Sequence, residues 1–283
     1  MKSNLLKLCL FLVSIFLLAV ACDNASTTKG SKGKTEDGKE AFVEAEVFDV
    51  IKLKDQIVET IQNAPKSDEL ADLLNRAGAS YIIDLTVPAE KAEKCITTTS
   101  QSLCMGMYSF DIHYANIYNR YDEAVKIIEL ENQLINKLGL AKELTSSEDY
   151  MTRIKENADN KDSVEYLVTQ KMNFVGNQLA SGDYPDIYAL SYIGANIEAL
   201  YILSQLTSLA TNNSEMLKLL SSQKQRIKSV FTLMELMSGD ESVKPFYNSM
   251  IPIVEYFEQH PTIGEEELKI VTPMIEKIHN SML

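Results

Sequence analysis

An all-α fold, a compact array of antiparallel helices, is the expectation from three features of the 283-residue chain. Tryptophan is absent and Leu, Ile, Glu, Lys, Ser and Asn dominate, a composition that favours helix over sheet. Apolar residues recur at steps of three and four from Ala41 onward. Only one stretch, Ser80 to Val87 (SYIIDLTV), has strand-like content, and Pro88 follows it directly, so extended chain or a helix end is expected there rather than a sheet.

The N-terminus reads differently. Lys2 and Lys7 precede an apolar run from Leu8 to Ala21, the charged head and hydrophobic body of a secretory leader, and the run is too short to span a bilayer. It ends in LAVAC, Leu18 to Cys22, the pattern of a bacterial lipobox, whose cysteine accepts the lipid. Residues 1–21 are therefore expected to be a signal peptide and Cys22 the lipidated first residue of the mature chain. Three acyl chains would anchor it firmly, since each buried methylene contributes about 0.8 kcal/mol. From Asp23 to Glu40 the chain has almost no large apolar residue, so residues 22–40 are expected to be a disordered tether. Residues 41–283 form the expected helical domain.

Its elements follow in order. Ala41 to Gln62 is an acidic amphipathic helix and Ser67 to Ala77 a shorter one ended by Gly78. Thr97 to Ser100 read as a break. Two helices then meet near Asn119 and close at Gly139. Thr145 is expected to cap a short helix and Asp162 another, which ends at Gly182. Tyr184 to Ala210 is apolar on nearly every side, the pattern of a buried helix. A long amphipathic helix runs from Ser214 to Gly239. Two final helices carry Pro252 and Pro273, which are expected to kink or divide them.

Charge and motifs bound the function. The net charge is −13, and −15 once Lys2 and Lys7 leave with the leader, which excludes nucleic acid as a partner. No Gly-x-Ser-x-Gly elbow, Walker loop or dinucleotide fingerprint is present, so no cofactor and no metal are expected. Asp111 and His113 point about 200° apart on one helix and cannot share an ion.

The polar residues that stand out lie in the two most apolar helices. Asp111 and Glu198, with Tyr108, Tyr114 and Tyr201 as hydroxyl donors, form a candidate polar cluster: two buried carboxylates are costly unless they share a proton, bind a cation or meet donors. Such a cluster serves either as a small pocket or as a network that fixes helix register. Tyr184, Tyr188 and Tyr192 recur every four residues and form one helix face, a second candidate surface. Cys95 and Cys104 are either bridged or two buried thiols; a bridge requires a chain reversal between them, for which Thr97 to Ser102 supply loop residues.

Two runs, GMYSFDIHYANIYN at Gly106 to Asn119 and YIGANIEALYILSQL at Tyr192 to Leu206, resemble motifs of a family of Bacteroidetes lipoproteins. Gly106, Tyr108, Asp111 and Tyr114 match one family pattern; Gly194, Ile197, Glu198, Leu200 and Tyr201 match the other. Phe110, Ala195 and Asn196 depart from it. The resemblance implies an all-helical lipoprotein and carries no activity. The expectation is an extracytoplasmic protein of binding or scaffolding type, lipid-anchored at the outer membrane, with a small ligand or another envelope protein as its partner. An envelope enzyme using Asp111 or Glu198 as general acid or base is the alternative.

Overall fold

The computed structural model describes residues 52–144, 149–157 and 159–283. The expected leader, Cys22, the tether, the start of the first helix at Ala41 and the Thr145 cap lie outside the described residues.

Those residues form helices and no strand. Helix α1 covers 52–62. The others are α2 (Ser67–Arg76), α3 (Lys91–Lys94), α4 (Thr98–Ile117), α5 (Tyr121–Lys137), α6 (Ala141–Leu144), α7 (Tyr150–Glu156), α8 (Lys161–Ser181), α9 (Pro185–Leu209), α10 (Ser214–Ser221), α11 (Lys224–Leu236), α12 (Lys244–Gln259) and α13 (Glu265–Ser281). Between α2 and α4 the chain runs as an irregular strap, residues 79–97, interrupted only by a 3-10 turn at Ile83–Leu85 and by α3.

Helices α4 and α9 are the centre, and they share the largest helix interface. A capping box starts α4: the Thr97 hydroxyl accepts from the Ser100 N–H and the Ser100 hydroxyl accepts from the Thr97 N–H. Thr97 to Ser102 are therefore a cap and a first turn, not the break or loop their composition suggests. Asn119 turns the chain into α5 with φ 59°, and Gly139 closes α5 with φ 75°. The two central helices meet backbone to backbone. A Cβ at Gly106 would stand 1.9 Å from the Ser191 carbonyl oxygen, and one at Gly194 would stand 2.1 Å from the Leu103 carbonyl oxygen. Each glycine lets the other helix approach, and this close contact offsets the roughly 1 kcal/mol that a helical glycine costs relative to alanine. Helix α9 is long and apolar enough to cross a membrane, yet 78% of its most apolar window is buried inside the protein, which makes it a core helix.

Three boundaries differ from expectation. Asn160 rather than Asp162 caps α8, its side-chain oxygen accepting from the Ser163 N–H, while Asp162 sits in the first turn where the helix dipole favours an acid. The expected single helix from Ser214 is two, α10 and α11. At their junction Ser221 donates to the Leu217 carbonyl, and Ser222 and Gln223 both donate to the Leu219 carbonyl; side chains that bond the preceding turn compete with helix continuation. Pro252 and Pro273 lie inside α12 and α13 without dividing them.

Candidate functional site

Helix α4 carries polar groups on two sides, and they do different things. On one side Gln101, Cys104, Tyr108, Asp111 and Tyr114 follow at steps of three or four, so they form one stripe. The strap lies along this stripe in the opposite chain direction. Tyr114 donates to the Ser80 carbonyl at 3.2 Å and accepts from the Ile82 N–H at 3.0 Å. The Asp111 carboxyl accepts from the Val87 N–H at 2.9 Å, Tyr108 donates to the Pro88 carbonyl at 3.0 Å, and Gln101 donates to the Cys95 carbonyl at 3.4 Å. Cys95 and Cys104 are joined by a disulfide, with Cα atoms 6.9 Å apart and the reversal at Ile96–Thr97. An irregular segment leaves backbone groups that no helix or sheet pairs, and this stripe pairs them. Burial pushes the Tyr114 phenol up to about 12 and raises that of Tyr108, so both remain hydroxyls.

The expected roles of Tyr108 and Tyr114 are corrected by this geometry. Neither hydroxyl serves the carboxyl pair, because both are already bonded to strap carbonyls. Asp111 and Glu198 do meet. Both are fully buried, and Asp111 Oδ1 and Glu198 Oε1 are the oxygens left without another partner. Burial is the first cause that raises both carboxyls well above the ordinary range, and for Asp111 the facing Glu198 charge adds to it. Two carboxyls in this position hold a proton between them. Glu198 Oε2 lies 2.7 Å from His279 Nε2, and the Asn280 side chain lies 3.2 Å from His279 Nδ1. Burial lowers His279 to about 4, so at neutral pH the imidazole is uncharged and donates Nε2–H to the carboxyl. Tyr201 stacks on the His279 ring at 3.8 Å and covers it instead of bonding Glu198. His279 lies 81 residues from Glu198 on another helix, and nothing in the sequence joins it to either acid.

On its other side α4 turns Ser109 and His113, one helical turn apart, toward an open cleft of about 480 Å³. The walls come from the end of α1, from Lys66, Ser67 and Asp68 at the start of α2, and from α8 and α9. Ser109 donates at 2.6 Å to Glu131, whose other oxygen pairs with Lys171; the acid and the lysine are both buried behind the cleft lining, where their charges cancel. His113 makes no hydrogen bond among the described residues, and burial lowers its pKa, leaving an uncharged imidazole with a donor and an acceptor to offer. Tyr188 and Tyr192 of the expected tyrosine face line the cleft. The turn before α2 is clamped from behind: Tyr192 donates to the Pro65 carbonyl at 2.8 Å, and buried Arg226 donates to the Pro65 and Lys66 carbonyls and to Asn196. Asn196, a departure from the resembled motif, is thus a ligand of this clamp.

Gly176 on α8 lines the cleft mouth, and a Cβ there would meet nothing within 4 Å. It is an interior helical glycine with no neighbour that requires it. A second hollow of about 420 Å³ lies between α5, α7 and α8, lined by Tyr121, Lys126, Glu129 and Lys155 among others. Asp111 and Glu198 line neither, and no group of His, Cys, Asp and Glu able to hold a metal ion occurs among the described residues. The sequence signals for the cleft were Lys171 within an apolar helix face and Gly176 within a helix; neither was read as functional. No protein-family model, curated protein or solved structure matches the chain.

Proposed function

We propose that this protein is a lipid-anchored binding protein of the bacterial cell envelope that holds a small ligand in the cleft between α2, α4, α8 and α9. The observation that carries the binding role is Gly176. Glycine inside a helix costs about 1 kcal/mol relative to alanine, and here no close helix, turn or backbone requires it. What it leaves is open volume beside an unpartnered imidazole, two tyrosines and a carboxylate. Envelope location and anchorage rest on the leader and on the LAVAC sequence at Leu18 to Cys22. The alternative, an enzyme with Asp111 or Glu198 as acid or base, has less support: a general acid must reach the proton it transfers, and this pair is sealed between helices.

Filling the mouth tests the reading. Gly176→Phe places a ring in the opening without touching the core, and Ala180→Phe does the same one turn on. In a thermal-shift screen of small polar and amphiphilic metabolites against the full-length protein, hits on the wild type should vanish in both variants while their unliganded melting temperatures stay near the wild-type value. Hits that persist in both variants would place binding elsewhere.

A further inference from the structure

We infer that the cleft selects a small organic cation, an amine or ammonium group carried on an apolar body; this rests on the binding role proposed above. Charge balance is the first argument. Asp68 lines the cleft and takes part in no ion pair or hydrogen bond among the described residues. Lys66 is the other charged residue of the lining and is exposed to solvent, and the charges behind the lining are paired. Glu131 and Lys171 neutralise each other. Arg226, behind the wall, is bonded to Gln223, Asn196 and two backbone carbonyls. Lys66 is exposed at the rim and His113 is uncharged. The half-buried Asp68 carboxylate, whose charge Arg226 feels without bonding to it, is therefore left at the cleft with no ion-pair partner.

The aromatic wall is the second argument. Tyr188 and Tyr192 both line the cleft, and the Tyr192 hydroxyl is committed to the Pro65 carbonyl, so its ring is what it offers a ligand. Burial pushes the Tyr192 phenol up to about 12, which keeps the ring free of charge. A carboxylate together with aromatic rings is the combination that binds ammonium groups, and the ring attraction strengthens as the cation is desolvated. Ile61, Met172, Val175 and Leu179 supply the apolar remainder of the wall. A protein of net charge −13 also concentrates cations at its surface.

Isothermal titration of the full-length protein at low ionic strength with three probes of matched size tests this: phenethylamine, 2-phenylethanol and 3-phenylpropionate. Phenethylamine should bind tightest. Asp68→Asn, a surface change at the start of a helix, should weaken it at least about tenfold and leave 2-phenylethanol unchanged. Gly176→Phe should abolish binding of every probe. Preference for the alcohol or the carboxylate, an unchanged phenethylamine affinity in Asp68→Asn, or no binding of phenethylamine to the wild type overturns the cation assignment. If Gly176→Phe binds the amine as the wild type does, the cleft itself is not the site, and the broader binding reading falls with it.

Discussion

Asp111, Glu198 and His279 form a chain of buried groups whose protonation is fixed by position. The carboxyls have folded-state values above their unfolded ones, so the folded state holds protons that the unfolded chain releases. Their contribution is fully present below the unfolded carboxyl range, about pH 4, and is lost as pH rises through the raised folded values. His279 has the opposite sense. It is lowered to about 4, so stability falls as pH drops from the ordinary histidine range, about 6.5, toward that value. In Asp111→Asn the amide donates permanently to Glu198 Oε1 and no shared proton has to be retained. The variant should therefore lose less stability than the wild type between pH 6 and pH 9 in urea unfolding, and equal slopes would mean that the pair does not share a proton. Asp111 and Glu198 were legible because each is a carboxylate within an otherwise buried helical run. Their real partners were not, since backbone groups of the strap and a distant imidazole leave no pattern near either acid.

Among elements, the contrast is between glycines on neighbouring helices. Gly106→Ala or Gly194→Ala forces a methyl group into a facing carbonyl, at 1.9 Å and 2.1 Å in the undisturbed geometry, so α4 and α9 must separate. Overpacking of a core costs about 1 to 3 kcal/mol, and here rigid backbone has to give, so the upper part of that range is expected. Gly176→Ala meets only open space and should raise stability by up to about 1 kcal/mol through helix propensity. Chemical denaturation of the three variants compares the same change with opposite signs. A destabilised Gly176→Ala would show that the glycine has a packing role. Glycine inside a helical pattern is visible in a sequence; whether another backbone or empty space faces it is not. The break between α10 and α11 was hidden for a similar reason, because the apolar phase continues across Ser221 to Gln223 while the side-chain bonds that interrupt the helix depend on rotamers. Thr97 to Ser102 misled the other way, since residues that favour loops also favour helix starts.

At the scale of the molecule, the all-α class was legible because composition and apolar period agree along the whole described chain. The cleft was not, since its walls come from α1, α2, α4, α8 and α9, and the tyrosine repeat, Lys171 and Gly176 each mark one helix without joining it to the others. For the proposed anchor, Cys22→Ala should leave the protein without lipid and shift it out of the membrane fraction or stall it as a precursor; normal incorporation of a labelled fatty acid would refute the assignment. The strap has a consequence for the order of assembly. Its hydrogen bonds to α4 span at most 34 residues, whereas Arg226 reaches the Pro65 carbonyl across 161. Loop closure grows costlier with span, so contacts close in sequence form first. Strap and α4 should thus dock as an early unit, with the proposed ligand cleft acquiring its wall late. In pulse-labelled hydrogen exchange during refolding, the amides of Ile82 and Val87 are expected to gain protection before the turn around Pro65 becomes ordered. A newly made molecule would then pass through a stage that is folded around α4 and still unable to bind.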